Sequence, residues 1–161
     1  GVGTLVEAAN LMTEDVEIDG YGPLFEGIDE KFFDGHRRVR YCGVIPPEDV
    51  SGVLSRYDAL VFPTHWPGEG YPGIIMESYG VGLPVIASRW LAIPEIVDES
   101  SGILIEPQDP RALAEAMTRL VKDPTLLARL REGAIAKRTF FDADRWVDYF
   151  VGLCNELVCK R

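Results

Sequence analysis

Two glutamates, Glu69 and Glu77, stand eight residues apart in Glu69-Gly70-Tyr71-Pro72-Gly73-Ile74-Ile75-Met76-Glu77, around a Pro-Gly step and an apolar run. An ionised carboxylate accepts hydrogen bonds and donates none, so the paired O–H donors of a diol suit it. Glu77 falls among Ile74, Ile75, Met76, Val81 and Leu83, where a carboxylate is costly unless a polar ligand donates to it. Pro72 has a φ preset for the first turn of a helix, and Gly73 has no side chain to keep a ligand away. A helix starting here exposes the N–H groups of Gly73, Ile74 and Ile75, which can hold a phosphate. Glu69 in the preceding loop and Glu77 in the second turn are then expected to face one pocket, with the phosphate between or beside them. Diol-accepting carboxylates beside a phosphate-binding helix end suit a nucleotide-sugar.

The elements that must carry these residues alternate along the chain. Leu5, Ala8, Ala9 and Met12 recur at helical spacing; Val16 and Ile18 then alternate with acidic residues in a short strand ending at Gly20. Further strands are predicted at Val39 to Cys42, Ala59 to Phe62, Pro84 to Ala87 and Gly102 to Ile105, with helix-like segments between nearly all of them. Such alternation predicts an α/β fold with a parallel sheet and helices on both faces. Asp109-Pro110 and Asp123-Pro124 each place a capping side chain before a proline at the first helical position. A last helix, about 142–158, carries Trp146, Val147, Phe150, Val151, Cys154 and Val158 on one stripe. The Gly/Pro-rich loop from Pro63 to Tyr71 follows a strand, which is where open parallel sheets bind ligands.

A chain of 161 residues, 47% hydrophobic, is expected to form one folded domain, 1–161. Its formal net charge of −10 argues against nucleic-acid binding, which needs a basic stripe. Cys42, Cys154 and Cys159 show no disulfide or zinc spacing, and a reducing cytoplasm is the expected compartment. No apolar run approaches a membrane span and no signal-peptide pattern opens the chain. The first residue is not Met, and Gly1-Val2-Gly3 leads directly into a helical pattern. The expectation is therefore a fragment of a longer protein.

Taken in order, these motifs resemble the retaining GT-B glycosyltransferases of the branch that includes sucrose and glycogen synthases. The resemblance rests on Glu69 to Glu77 as an E-x7-E motif, then Gly82-Leu83-Pro84-Val85-Ile86-Ala87-Ser88, Ile93-Pro94-Glu95-Ile96-Val97 and Gly102-Ile103-Leu104-Ile105. Upstream, Gly20-Tyr21-Gly22-Pro23-Leu24 is similar to the family's GxGPL turn, and Tyr41-Cys42-Gly43-Val44-Ile45 to its base-binding strand end. The resemblance implies the C-terminal, Rossmann-like donor domain of a two-domain enzyme, with the acceptor bound mostly by an N-terminal domain. Glu77 would accept from the ribose hydroxyls, and Glu69 would act at the transferred sugar as the catalytic-site carboxylate. The amides of Gly73, Ile74 and Ile75 would touch the diphosphate, and the backbone near Val44 and Ile45 would hold the base. The partner implied is a nucleotide-sugar, with no metal and no cofactor; membrane association would come only through the N-terminal domain.

Two departures stand out. Relatives usually carry an Arg and a Lys just before the helix that opens this chain, in a strand lying centrally in the sheet. A sheet built from these residues alone is expected to have a gap or to be rearranged, and the residues alone are not expected to transfer sugar. Second, Ser88-Arg89-Trp90-Leu91-Ala92 stands where many relatives have a glycine pair; Arg89 there could supply positive charge to the donor. Plainer readings stand beside these: Glu69 as a loop acid, Glu77 on a solvated helix face, Arg89 paired with an acid such as Glu95, and His65 as a bystander. The C-terminal aromatic stripe reads first as core, or in part as the interface with the partner domain. Competing functions are a nucleotide-sugar epimerase of the same fold and a non-catalytic nucleotide-binding or assembly module. A phosphorylase is disfavoured because no lysine stands in a pyridoxal phosphate context.

Overall fold

The computed structural model describes residues 1–25 and 27–159, with the side chain of Cys159 left aside. Its helices are α1 (Val2–Leu11), α2 (Val50–Leu54), α3 (Gly73–Gly80), α4 (Ile93–Ile96), α5 (Pro110–Lys122), α6 (Pro124–Arg138) and α7 (Ala143–Cys159). Its strands are β1 (Ile18–Gly20), β2 (Val39–Tyr41), β3 (Leu60–Phe62), β4 (Val85–Ser88) and β5 (Gly102–Ile105). All five predicted strands are present, most of them a residue or two shorter than the sequence pattern suggests, or shifted by one.

Every strand pairing is parallel. β1 pairs with β2, Ile18 opposite Val39; β3 pairs with β4, Leu60 opposite Val85; β4 pairs with β5, Val85 opposite Gly102. The strands fall into two groups, β1–β2 and β3–β4–β5, so the gap expected from the sequence is present. Both groups nevertheless feed one core. Ile18 of β1 and Val39 of β2 pack in the same buried cluster as Ile86 of β4, Ile105 of β5, Ala8 and Ala9 of α1, and Leu113 and Met117 of α5. Strand side chains alternate between faces, and the other face of β4, Val85 and Ala87, packs against Ile75 and Tyr79 of α3 and Ile93 and Ile96 of α4. Helices thus cover both faces of a Rossmann-like parallel layer.

Three sequence expectations are corrected. Glu77 is exposed, not embedded in apolar surroundings. The helical period turns Ile75, Ser78 and Tyr79 into the core and leaves Glu77 on the opposite side with Gly73 and Gly80; its apolar sequence neighbours are not its neighbours in space. The stripe on α7 is not core either: Trp146, Phe150 and Val158 are 46%, 66% and 72% exposed. Cys42, predicted as the last residue of a strand, is half-buried beyond the end of β2, with its thiol toward the Arg40 carbonyl at 3.8 Å.

Candidate functional site

The loop between β3 and α3 is fixed by its own hydrogen bonds. The Thr64 hydroxyl donates to Glu69 Oε2 at 3.1 Å and accepts from the Trp66 N–H at 3.2 Å. The Glu69 N–H donates to the Trp66 carbonyl at 3.1 Å, closing a turn through Pro67-Gly68, residues suited to its two central positions. The same carbonyl accepts from Trp90 Nε1 at 2.8 Å, tying this loop to the turn after β4. At its far end the Tyr71 hydroxyl donates to the Glu95 carboxylate, which raises the Tyr71 hydroxyl above its ordinary pKa. Glu95 therefore pairs with Tyr71, and the acid beside Arg89 is Glu106 instead.

Helix α3 begins at Gly73, as Pro72-Gly73 predicts. The Ile75 N–H donates to the Pro72 carbonyl at 3.1 Å, so one of the three amides assigned to a phosphate is already engaged. Among the described residues the N–H groups of Gly73 and Ile74 have no protein partner, leaving two donors at a helix start that favours an anion. Tyr79 anchors the helix. It is fully buried, its hydroxyl lies 3.1 Å from the Ile96 carbonyl, to which it donates, and 3.0 Å from Ser101 Oγ, and burial pushes its pKa up to about 12. Glu69 is half-buried and Glu77 exposed. A cavity of about 370 Å³ is lined by Tyr71, Met76, Phe140, Phe141 and Trp146, and neither glutamate lines it.

The remaining assigned residues sit elsewhere on the rim. Val44 is 67% exposed and Ile45 half-buried in the loop after β2. Gly43 takes a left-handed φ of 85° there, and its carbonyl accepts from the Gly22 N–H at 2.9 Å. The loops after β1 and β2 are thereby joined, and Tyr41 adds a bond to the Gly22 carbonyl at 3.0 Å. Among the described residues no hydrogen bond connects this rim to the Thr64–Glu69 loop. Arg89 lies at the end of β4, its Nε 3.5 Å from Glu106 and both side chains exposed. His65 follows β3 with its Nδ1 enclosed and unpartnered, as is Ser88 Oγ at the end of β4.

Some structural roles were not visible in the sequence. Thr64 and Trp90 act through bonds to residues whose positions depend on the folded loop. Asp19 accepts from Arg40 Nε and Nη2 at 3.0 and 2.9 Å and from the Tyr57 hydroxyl at 2.7 Å, and Tyr57 meets the Tyr21 hydroxyl at 2.8 Å. The Arg40 bonds hold Asp19 below the usual carboxylate range, and burial with these partners raises Tyr57. Opposite charges on two predicted strands were legible; the register that puts Asp19 opposite Arg40 was not.

Residues 1–123 match the family described as Glycosyl transferases group 1. An amylovoran biosynthesis glycosyltransferase of Erwinia amylovora is 31% identical over 132 residues, covering 74% of this chain and 32% of the relative. The chain thus spans about a third of that relative's length. A sucrose-phosphate synthase from Thermosynechococcus elongatus superposes with TM-score 0.82 at 24% identity, covering 100% of this chain and 43% of its own. Anabaena HepE, solved in complex with UDP-glucose, superposes with TM-score 0.82 at 20% identity, covering 97% and 45%. The chain belongs to the glycosyl transferases group 1 family and has the Rossmann-like fold of a GT-B C-terminal domain.

Proposed function

We propose that this chain is the donor domain of a retaining, metal-independent glycosyltransferase that moves a hexose from a nucleoside diphosphate to a hydroxyl acceptor. The observation that carries the reading is the start of α3, where the free N–H groups of Gly73 and Ile74 lie between an oriented Glu69 and an exposed Glu77. Family membership and a neighbour solved with UDP-glucose support it. Glu77 accepts from the ribose hydroxyls and Glu69 from hydroxyls of the transferred sugar, while the backbone near Val44 and Ile45 borders the base. Arg89, released from its exposed and weak pairing with Glu106, adds positive charge beside the diphosphate.

The bond from the anomeric carbon to the diphosphate oxygen breaks as that carbon bonds to the acceptor oxygen on the same face. The acceptor proton passes to the departing phosphate, so no separate general base such as His65 is required. Amides aimed at the charge that develops on the leaving group are worth roughly a hundredfold in rate each. The acceptor site belongs to a second domain in this reading, so the 161 residues bind donor without transferring it.

A crystal soaked in turn with UDP-glucose, GDP-mannose and ADP-glucose tests the reading. The expected density for one of them places the diphosphate on the Gly73 and Ile74 amides and the ribose at Glu77. Density for a nucleotide elsewhere, or none with any of the three, contradicts it.

A further inference from the structure

We infer that Thr64 is a positioning residue for Glu69, fixing the carboxylate that meets the transferred sugar; this rests on the donor reading above. The Thr64 hydroxyl has one proton and spends it on Glu69 Oε2. Its lone pair accepts the Trp66 N–H, so the hydroxyl cannot turn its proton toward that amide and stays aimed at the glutamate. The glutamate's own N–H closes back on the Trp66 carbonyl. Backbone and carboxylate of Glu69 are therefore clamped to the same short turn, 64–69. The Trp90 indole, donating to that carbonyl at 2.8 Å, braces the turn from the neighbouring strand end.

Two consequences follow. Glu69 is half-buried on a loop of exposed neighbours, Trp66, Pro67, Gly68 and Gly70, where an untethered glutamate samples several rotamers and loses that freedom only on binding. Thr64 removes the cost in advance, because the carboxylate is already ordered before a sugar arrives. With Oε2 engaged, Oε1 has no protein partner among the described residues and is the oxygen offered to a ligand hydroxyl. Thr64 thus acts on the sugar half of the donor and leaves the nucleotide half untouched.

Two measurements on Thr64→Val, Thr64→Ser and wild type test this. In the unliganded proteins, side-chain coupling constants report the Glu69 χ1 rotamers. One dominant rotamer is expected in wild type and Thr64→Ser, and averaging in Thr64→Val; a single unchanged rotamer in Thr64→Val overturns the positioning role whatever the protein binds. Calorimetry then compares each nucleoside diphosphate with its sugar conjugate: UDP with UDP-glucose, GDP with GDP-mannose, ADP with ADP-glucose. For the base that binds, Thr64→Val is expected to lose the extra affinity contributed by the sugar, roughly tenfold for a bond to a charged group. Its affinity for the bare diphosphate should stay within twofold of wild type, and Thr64→Ser should keep both. Loss of bare-diphosphate affinity alongside the sugar effect marks a merely structural residue and overturns the inference, as does an undiminished sugar effect. Failure of wild type to bind any diphosphate overturns the donor reading and the role in sugar binding with it, while the rotamer measurement still decides the tether.

Discussion

At the residue scale, the site is a division of labour between side chains that differ in how tightly the fold holds them. Glu69 is tethered through Thr64; Glu77 stands free on the exposed side of α3. The spacing of the two glutamates and the Pro72-Gly73 helix start were legible because both depend on local chain geometry. The environment of Glu77 was not, because adjacency in sequence is not adjacency in space: the helical period sends Ile75 and Tyr79 inward and Glu77 outward. The engagement of the Ile75 amide was hidden for a similarly local reason: the first turn tightens and its N–H closes on Pro72. Leu91, in the turn after β4, has a left-handed φ of 45° and is 56% exposed. A left-handed conformation costs a residue with a Cβ about 1 kcal/mol, more if it is β-branched. Leu91→Val is therefore expected to lower folding stability by about 1 kcal/mol or more, and Leu91→Gly to leave it level or raise it. Urea denaturation of the two variants checks the order, and Leu91→Gly as the less stable protein contradicts it.

At the scale of elements, helix ends were the most readable features because a cap is satisfied within a few residues of itself. Asp109 Oδ1 accepts from the N–H groups of Arg111 and Ala112 at 3.0 and 2.9 Å, and Asp123 Oδ1 from Leu126 at 2.9 Å, as the two Asp-Pro steps predict. Asp109→Ala should lower stability by about 1 kcal/mol, while Asp109→Ser or Asn should recover most of it. Denaturant midpoints measure this, and equal losses from all three variants would point to some role other than capping. Strand existence was legible from composition and spacing; pairing was not. The Asp19–Arg40 bidentate bond and the Trp90–Trp66 tie both require knowing which strand ends lie side by side, which is a property of the assembled layer. The α7 stripe shows the opposite failure: a strongly amphipathic pattern reports that a face seeks cover, and in this chain Trp146 and Phe150 remain exposed.

At the scale of the whole molecule, distant segments are joined by two ion pairs whose acids titrate low. Lys122 lies 2.6 Å from Glu14 and, with hydrogen bonds from nearby groups, holds it at about 2, against an ordinary 4.5. Burial works to raise Asp98, but Lys137 at 2.6 Å and the bonds from Ser100 outweigh it and leave it at about 2, against 3.8. Both carboxylates are more acidic folded than unfolded, so their contribution is fully present above about pH 4.5 and is lost as pH falls toward 2. Thermal melts across pH 2 to 7 should show this acid limb, and it should shrink in Lys122→Met and Lys137→Met; variants with an unchanged limb contradict the assignment. The two strand groups share one core despite the gap between them, so the layer that carries the α3 start and both glutamates is assembled within these residues. In the donor reading proposed above, this layer binds a nucleoside diphosphate through the α3 start and Glu77. Isothermal titration of UDP, GDP and ADP into wild type and Glu77→Ala tests it most directly. One nucleotide is expected to bind wild type, with affinity falling roughly tenfold in Glu77→Ala as bonds from the ribose to a charged acceptor are lost; equal affinity in the two proteins would contradict it.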